Sequence, residues 1–290
     1  MNMQKPKKIR KEMRDRLHRL YAQGYGVAKK PLKKGAWSPY IHSQATYDTY
    51  IQQANRFADW CMEQGYRIRD EYVTDMVRLY LLDMEQAGKS PYTLSTALNA
   101  ICKALGLRTS DIEYTLPKKE RANIKRSRQS VERDKHINPA HYEFLYTFQR
   151  CFGLRRAKEL EKIRAEDFVI TDDAIFCTVN GKGGKTRQVR AYGEKEELTV
   201  IRHHLQANRT GLVFPPGTIP SGFDAHALRA EYAARVYHAH ARATIPPSDR
   251  YICRGDKKGE IYDKKAIEIV SKMLGHNRLN VVIDHYSYRF

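Results

Sequence analysis

The 290-residue sequence predicts a mainly α protein with a small antiparallel β-sheet, an α+β chain made of a helical domain and a mixed one. Three observations lead there. Apolar residues recur at three- and four-residue spacing through the first half, residues 168–192 hold short β-branched and aromatic runs broken by turns, and a basic stretch without periodicity separates the two textures. Length and a hydrophobic share of 41% allow each part a core of its own.

Residues 1–36 read as a basic arm. Lys5, Lys7, Lys8, Arg10, Lys11, Arg14, Arg16, Arg19, Lys29, Lys30, Lys33 and Lys34 face only Glu12 and Asp15. Such a block is expected to be a flexible tail that orders on a phosphate backbone. A helical domain, 37–116, follows. Its first helix repeats Tyr47, Ile51, Ala54, Phe57 and Cys61, and its second Met76, Val77, Tyr80, Leu81 and Met84. The third starts with Ser90 as N-cap and Pro91 in the first turn, and stops at Gly106. Residues 117–137 form the basic linker.

The second domain, 138–290, begins with a helix over HYEFLYTFQRCFG. Next comes a three-stranded meander turning at Asp172-Asp173 and at 181–184, and then helices over EKEELTVIRHHLQ, DAHALRAEYAARVYHAH and DKKAIEIVSKMLG. Residues 241–262 fit no regular pattern and are expected to be an irregular loop.

Charge is the strongest bulk signal: 52 Lys+Arg against 33 Asp+Glu give a formal +19. A polyanionic partner follows, nucleic acid ahead of an anionic membrane, because no basic amphipathic helix with a bulky apolar face stands out. No stretch approaches the roughly 18 apolar residues of a membrane span, and the charged first residues lack the apolar core of a secretory signal. A cytoplasmic, nucleoid-associated protein is expected. The five cysteines are widely spaced without a Cys-x-x-Cys pair, so neither disulfides nor a zinc site is indicated.

Four short stretches could carry chemistry, and each has an ordinary reading. GLRRAKELEKIRAEDF places Arg156, Glu159, Leu160 and Ile163 on one helical face, yet an arginine pair on a helix usually meets solvent. NGKGGKTRQV sets Lys182 in a glycine-rich hairpin turn, without the spacing of a phosphate-binding P-loop. HALR aligns His226 with Arg229. LGH puts His276 just past a helix that Gly275 would close in the left-handed conformation.

In this order, with a tyrosine ten residues beyond His276, the stretches resemble the tyrosine recombinases, the phage-type integrase family. The resemblance covers 138–290; residues 37–116 resemble the family's core-binding domain in size and helix content. It implies a site of Arg156, Lys182, His226, Arg229, His276 and Tyr286 that cuts and rejoins DNA through a 3′-phosphotyrosine. Arg156 and Arg229 would bind the scissile phosphate with His276, Lys182 would protonate the leaving oxygen, His226 would exchange the phenolic proton, and Tyr286 would attack. Arg155, which follows Gly153-Leu154, is the alternative to Arg156; Lys185 and Tyr288 are the alternatives to Lys182 and Tyr286.

The bond energy stays in the phosphotyrosine, so no cofactor is implied, and a cationic constellation calls for no metal. Double-stranded DNA, self-association into a tetrameric synapse and accessory DNA-bending proteins are the implied partners. The 241–262 segment, extra by comparison with the family, is a candidate for assembly contacts. The rival readings are a noncatalytic architectural or regulatory DNA-binding protein and a topoisomerase-like enzyme.

Overall fold

The computed structural model describes residues 6–27, 38–66, 72–120, 134–181, 186–276 and 278–290. They fall in two compact units, Met1–Ile124 and Lys125–Phe290.

Among its described residues the first unit holds four α-helices: α1 (Pro6–Gly24), α2 (Gln44–Glu63), α3 (Val73–Gln86) and α4 (Pro91–Leu105). Ser43 caps α2 and Ser90 caps α4, each hydroxyl accepting the amide three residues on, and Gly106 ends α4 with φ +83°. The buried stripes meet in one core around Phe57, Cys61, Leu81, Leu94 and Ile101. Helix α1 corrects the expectation of a flexible basic arm over 1–36. Its Ile9, Met13 and Leu17 are buried in that same core, and Leu20 O accepts the amide of Ile41 at 3.0 Å. The four-residue apolar stripe was hidden among cations that occupy the solvent side, Lys11, Arg14, Arg16 and Arg19. Residues 28–36 of the expected arm lie outside the described residues, as does most of the linker.

In the second unit a short 3-10 turn (Pro139–Tyr142) leads into α5 (Glu143–Phe152). Strands β1 (Phe168–Ile170), β2 (Ile175–Asn180) and β3 (Thr186–Arg190) form the expected antiparallel meander in the order β1-β2-β3. Ile175, Cys177, Val179 and Val189 turn to the core by the two-residue period of a strand. Helices α6 (Lys195–Ala207), α7 (Ala225–His240), α8 (Lys264–Met273) and α9 (Leu279–Tyr286) follow, and Ser287–Arg289 add a 3-10 turn. Helix α7 packs against α5, α8 and α9. It is buried nearly all round, with Leu228, Arg229, Ala230, Tyr232, Ala233 and Val236 inside, so a charged residue on it can be carried into the core.

The irregular loop expected at 241–262 is instead built around a hairpin, β4 (Arg250–Ile252) paired with β5 (Ile261–Asp263), with Tyr251 opposite Tyr262. Strands of three residues are too short for alternation to reveal. The hairpin is fastened at its base by Arg242, which donates to Asp263 (2.6 Å) and to Asp249 (2.7 Å). Asp263 also caps α8, accepting the amide of Lys265 at 3.0 Å. All five cysteines are free and buried. Among the described residues, no helix is long and apolar enough to cross a membrane.

Candidate active site

Two glycine turns set up the site. Gly153 ends α5 at φ +56°, and a Cβ there would stand 2.5 Å from the Tyr232 ring. Gly275 closes α8 at φ +67°, with the amide of His276 donating back to Ser271 O at 2.8 Å, the expected helix stop. A Cβ on Gly275 would meet the Arg187 guanidinium at 3.1 Å. Both positions therefore need glycine for backbone conformation and for close approach.

Arg229 enters between these turns from α7. It is 1% exposed, and its fork is fully used: one Nη donates to Gly153 O, the other to Leu274 O at 2.5 Å, and Nε to the Tyr286 hydroxyl at 3.2 Å. The same hydroxyl lies 3.4 Å from Nε2 of His276, and the His226 ring stacks on the Tyr286 ring with centroids 6.5 Å apart. Tyr286 itself is 2% exposed. Tyr288 sits beside the Arg289 guanidinium, 5.8 Å from ring centre to Cζ.

Of the two adjacent arginines, Arg155 is the one drawn into the cluster. It donates from Nη1 to Glu159 at 2.6 Å and from Nη2 to Leu274 O at 3.1 Å, the carbonyl that also holds Arg229. Arg156 reaches Glu161 (3.1 Å) and Phe223 O (3.5 Å) instead. The placement of Arg156 in the cluster assumed α-helical indexing. Residues 156–160 form a π-turn, with the amide of Leu160 bonded to Arg155 O and that of Glu161 to Arg156 O, each five residues back. Arg155, the extended residue just before this turn, stands four positions before Glu159 and bonds it, while Arg156, the first residue of the wide turn, bonds Glu161 five positions on.

Glu159 is the hub of the cluster. It accepts the Arg155 amide and side chain and a bidentate pair from Arg187, both bonds 2.8 Å, and lies 3.9 Å from Arg229. Burial pushes its carboxyl up, but Arg187, the Arg155 amide and Arg229 outweigh this and hold it down to about 2. Arg187, which also donates to Met273 O at 2.8 Å, was not among the sequence candidates. Its signal was positional: it shares the inward face of β3 with Val189, where an exposed arginine does not belong.

Burial first, then Arg229, Arg155, His285 and Arg187, lower His276 to about 4, so its imidazole is neutral at pH 7. Burial likewise lowers Arg229 from its usual value. The structure thus gathers Arg155, Arg229, His226, His276 and Tyr286. Lys182 and Lys185 lie outside the described residues. Among the described residues, no group of three or more His, Cys, Asp or Glu is placed to hold a metal ion. In the first unit, a separate open cleft of about 300 Å³ is lined by Arg10, Lys11, Arg14, Asp15, His18 and Tyr47.

The helical unit and the mixed unit together have the fold of the tyrosine recombinases. The chain is similar to two complexes of the XerH site-specific recombinase. In the post-cleavage complex with palindromic difH substrate the match covers 97% of this chain and 91% of that one, with a TM-score of 0.53 and 13% identity. In the pre-cleavage complex with difH the figures are 96% and 90%, 0.52 and 14%. No protein-family model and no curated protein sequence matches the chain.

Proposed function

We propose that this protein is a site-specific DNA recombinase that cuts and rejoins duplex DNA through a 3′-phosphotyrosine on Tyr286. The observation that carries this reading is the phenolic oxygen of Tyr286 standing between Nε of Arg229 and Nε2 of His276, at 3.2 and 3.4 Å. A phosphodiester repels nucleophiles and gains charge on its nonbridging oxygens during attack, so the site must supply fixed positive donors. Arg155 and Arg229 are such donors, preorganised by Glu159 and by backbone carbonyls.

In the reaction the Tyr286 oxygen bonds to phosphorus and the bond from phosphorus to the 5′ oxygen breaks. The phenolic proton passes to a neutral imidazole, for which His276 is nearest, with His226 flanking the ring. Lys182, assigned by resemblance, protonates the departing 5′ oxygen. Attack by a second 5′ hydroxyl reverses the step and reseals the strand, which conserves bond energy and calls for no cofactor.

The first unit would serve as the core-binding domain, laying the cations of α1 along DNA phosphates. Exchange between two sites requires self-association on DNA, a tetramer in this reading, with accessory DNA-bending proteins as further partners. The test is a nicked duplex incubated with the wild type and with Tyr286→Phe. A protease-sensitive covalent adduct from the wild type alone is expected; its absence sinks the proposal. Strand exchange between two duplexes then separates a recombinase from a topoisomerase-like enzyme.

A further inference from the structure

The residues that follow the tyrosine are held by the β4–β5 hairpin and by α7. Lys257, between the two strands, donates from Nζ to Ser287 Oγ at 2.7 Å, and that hydroxyl donates to Ile283 O of α9 at 2.7 Å. Phe290 lies flat on Tyr237 of α7, with centroids 4.4 Å apart and planes 6° apart, and meets the edge of Tyr262 of β5 at 5.9 Å. Arg289 stands 3.8 Å from Glu231 of α7.

With these contacts in place the site is shut. Both Nη groups of Arg229 serve backbone carbonyls, and its Nε serves the Tyr286 hydroxyl. A phosphoryl oxygen can bond to Nε only when that hydroxyl withdraws.

We propose that the β4–β5 hairpin is an intramolecular latch. Through Lys257 and Tyr262 it holds residues 287–290, and with them Tyr286, in a resting position that must be released before DNA is cut. This rests on the DNA-cutting reading, and Lys257 and Phe290 act as positioning residues rather than touching the phosphate.

The test compares full-length wild type with Lys257→Met and Phe290→Ala, and with the conservative Lys257→Arg and Phe290→Tyr. Two quantities are read: hydrogen exchange of residues 279–290 without DNA, and the single-turnover rate of adduct formation on a saturating nicked duplex. Latch loss is expected to raise both about tenfold, the scale of one charge-assisted hydrogen bond. Exchange in α5 and α7 and the noncovalent DNA affinity stay as in the wild type, and the conservative variants restore wild-type values. Unchanged exchange, or raised exchange with an unchanged or slower adduct rate, overturns the latch. Raised exchange with no adduct from any protein, wild type included, refutes the cutting chemistry while sustaining the latch.

Discussion

Nε of Arg229 donates to the hydroxyl of Tyr286 at 3.2 Å across 57 residues of sequence, and the rest of the arginine fork is spent on two glycine-turn carbonyls. Lysine retains the charge but cannot span these three directions, and a buried ammonium readily loses its proton. Arg229→Lys is expected to slow adduct formation roughly 100- to 1000-fold, the cost of one transition-state donor. It should also lower the melting temperature, because Gly153 O and Leu274 O lose their donors. Quenched-flow adduct assays and thermal melts check the two effects.

Arg155 and Arg156 give a sharper comparison, since they are adjacent and chemically identical. Arg155→Ala is expected to cost roughly 100-fold or more in adduct rate. Arg156→Ala should stay within about twofold of wild type, as for a surface change outside the cluster. Equal losses would contradict the inward assignment of Arg155.

Glu159→Gln removes the charge that faces Arg155, Arg187 and Arg229 in a buried setting. Breaking such a network from one side costs about 3–5 kcal/mol, because the arginines stay buried without their counter-ion. Urea titration of the intact chain is expected to show that loss.

The low value of His276 gives a pH signature without DNA. Its imidazole binds a proton near 6.5 when unfolded and only near 4 when folded. Between those values the unfolded state holds more protons, so this group makes stability fall as pH drops from about 6.5 towards 4. Thermal melts at pH 7 and pH 5 should therefore show a smaller acid-induced decrease for His276→Gln than for wild type.

Phosphate neutralisation by the basic surface predicts a steep salt response. If six to ten phosphates are contacted, affinity measured by fluorescence anisotropy should fall about 1,000- to 100,000-fold between 50 and 200 mM salt. A flat response would exclude an extended grip on the backbone.

Much of this was legible in the chain itself. The stripes of α2, α3 and α4, the Ser90 and Gly106 boundaries, the meander and the stop at Gly275 all obey local rules that side-chain spacing exposes. What stayed hidden has physical reasons. Helix α1 buries only a narrow stripe, so its cations dominated the reading; β4 and β5 are too short to alternate; and α9, with Val281, Val282 and Ile283 in a row, has a β-branched run that does not advertise an eight-residue helix. The roles of Arg187 and Lys257 depend on tertiary neighbours far away in sequence, Glu159 and Ser287.

The widened turn at 156–160 also carries a practical lesson. Deleting Ala157 would leave Arg155 three and Arg156 two positions before Glu159, so at ordinary helical pitch Arg155 would still share the face of Glu159. A pattern that demands three positions from an arginine to its glutamate names Arg156, whereas the side chain bonded to Glu159 is that of Arg155, four before it, so atoms rather than spacing decide the pair.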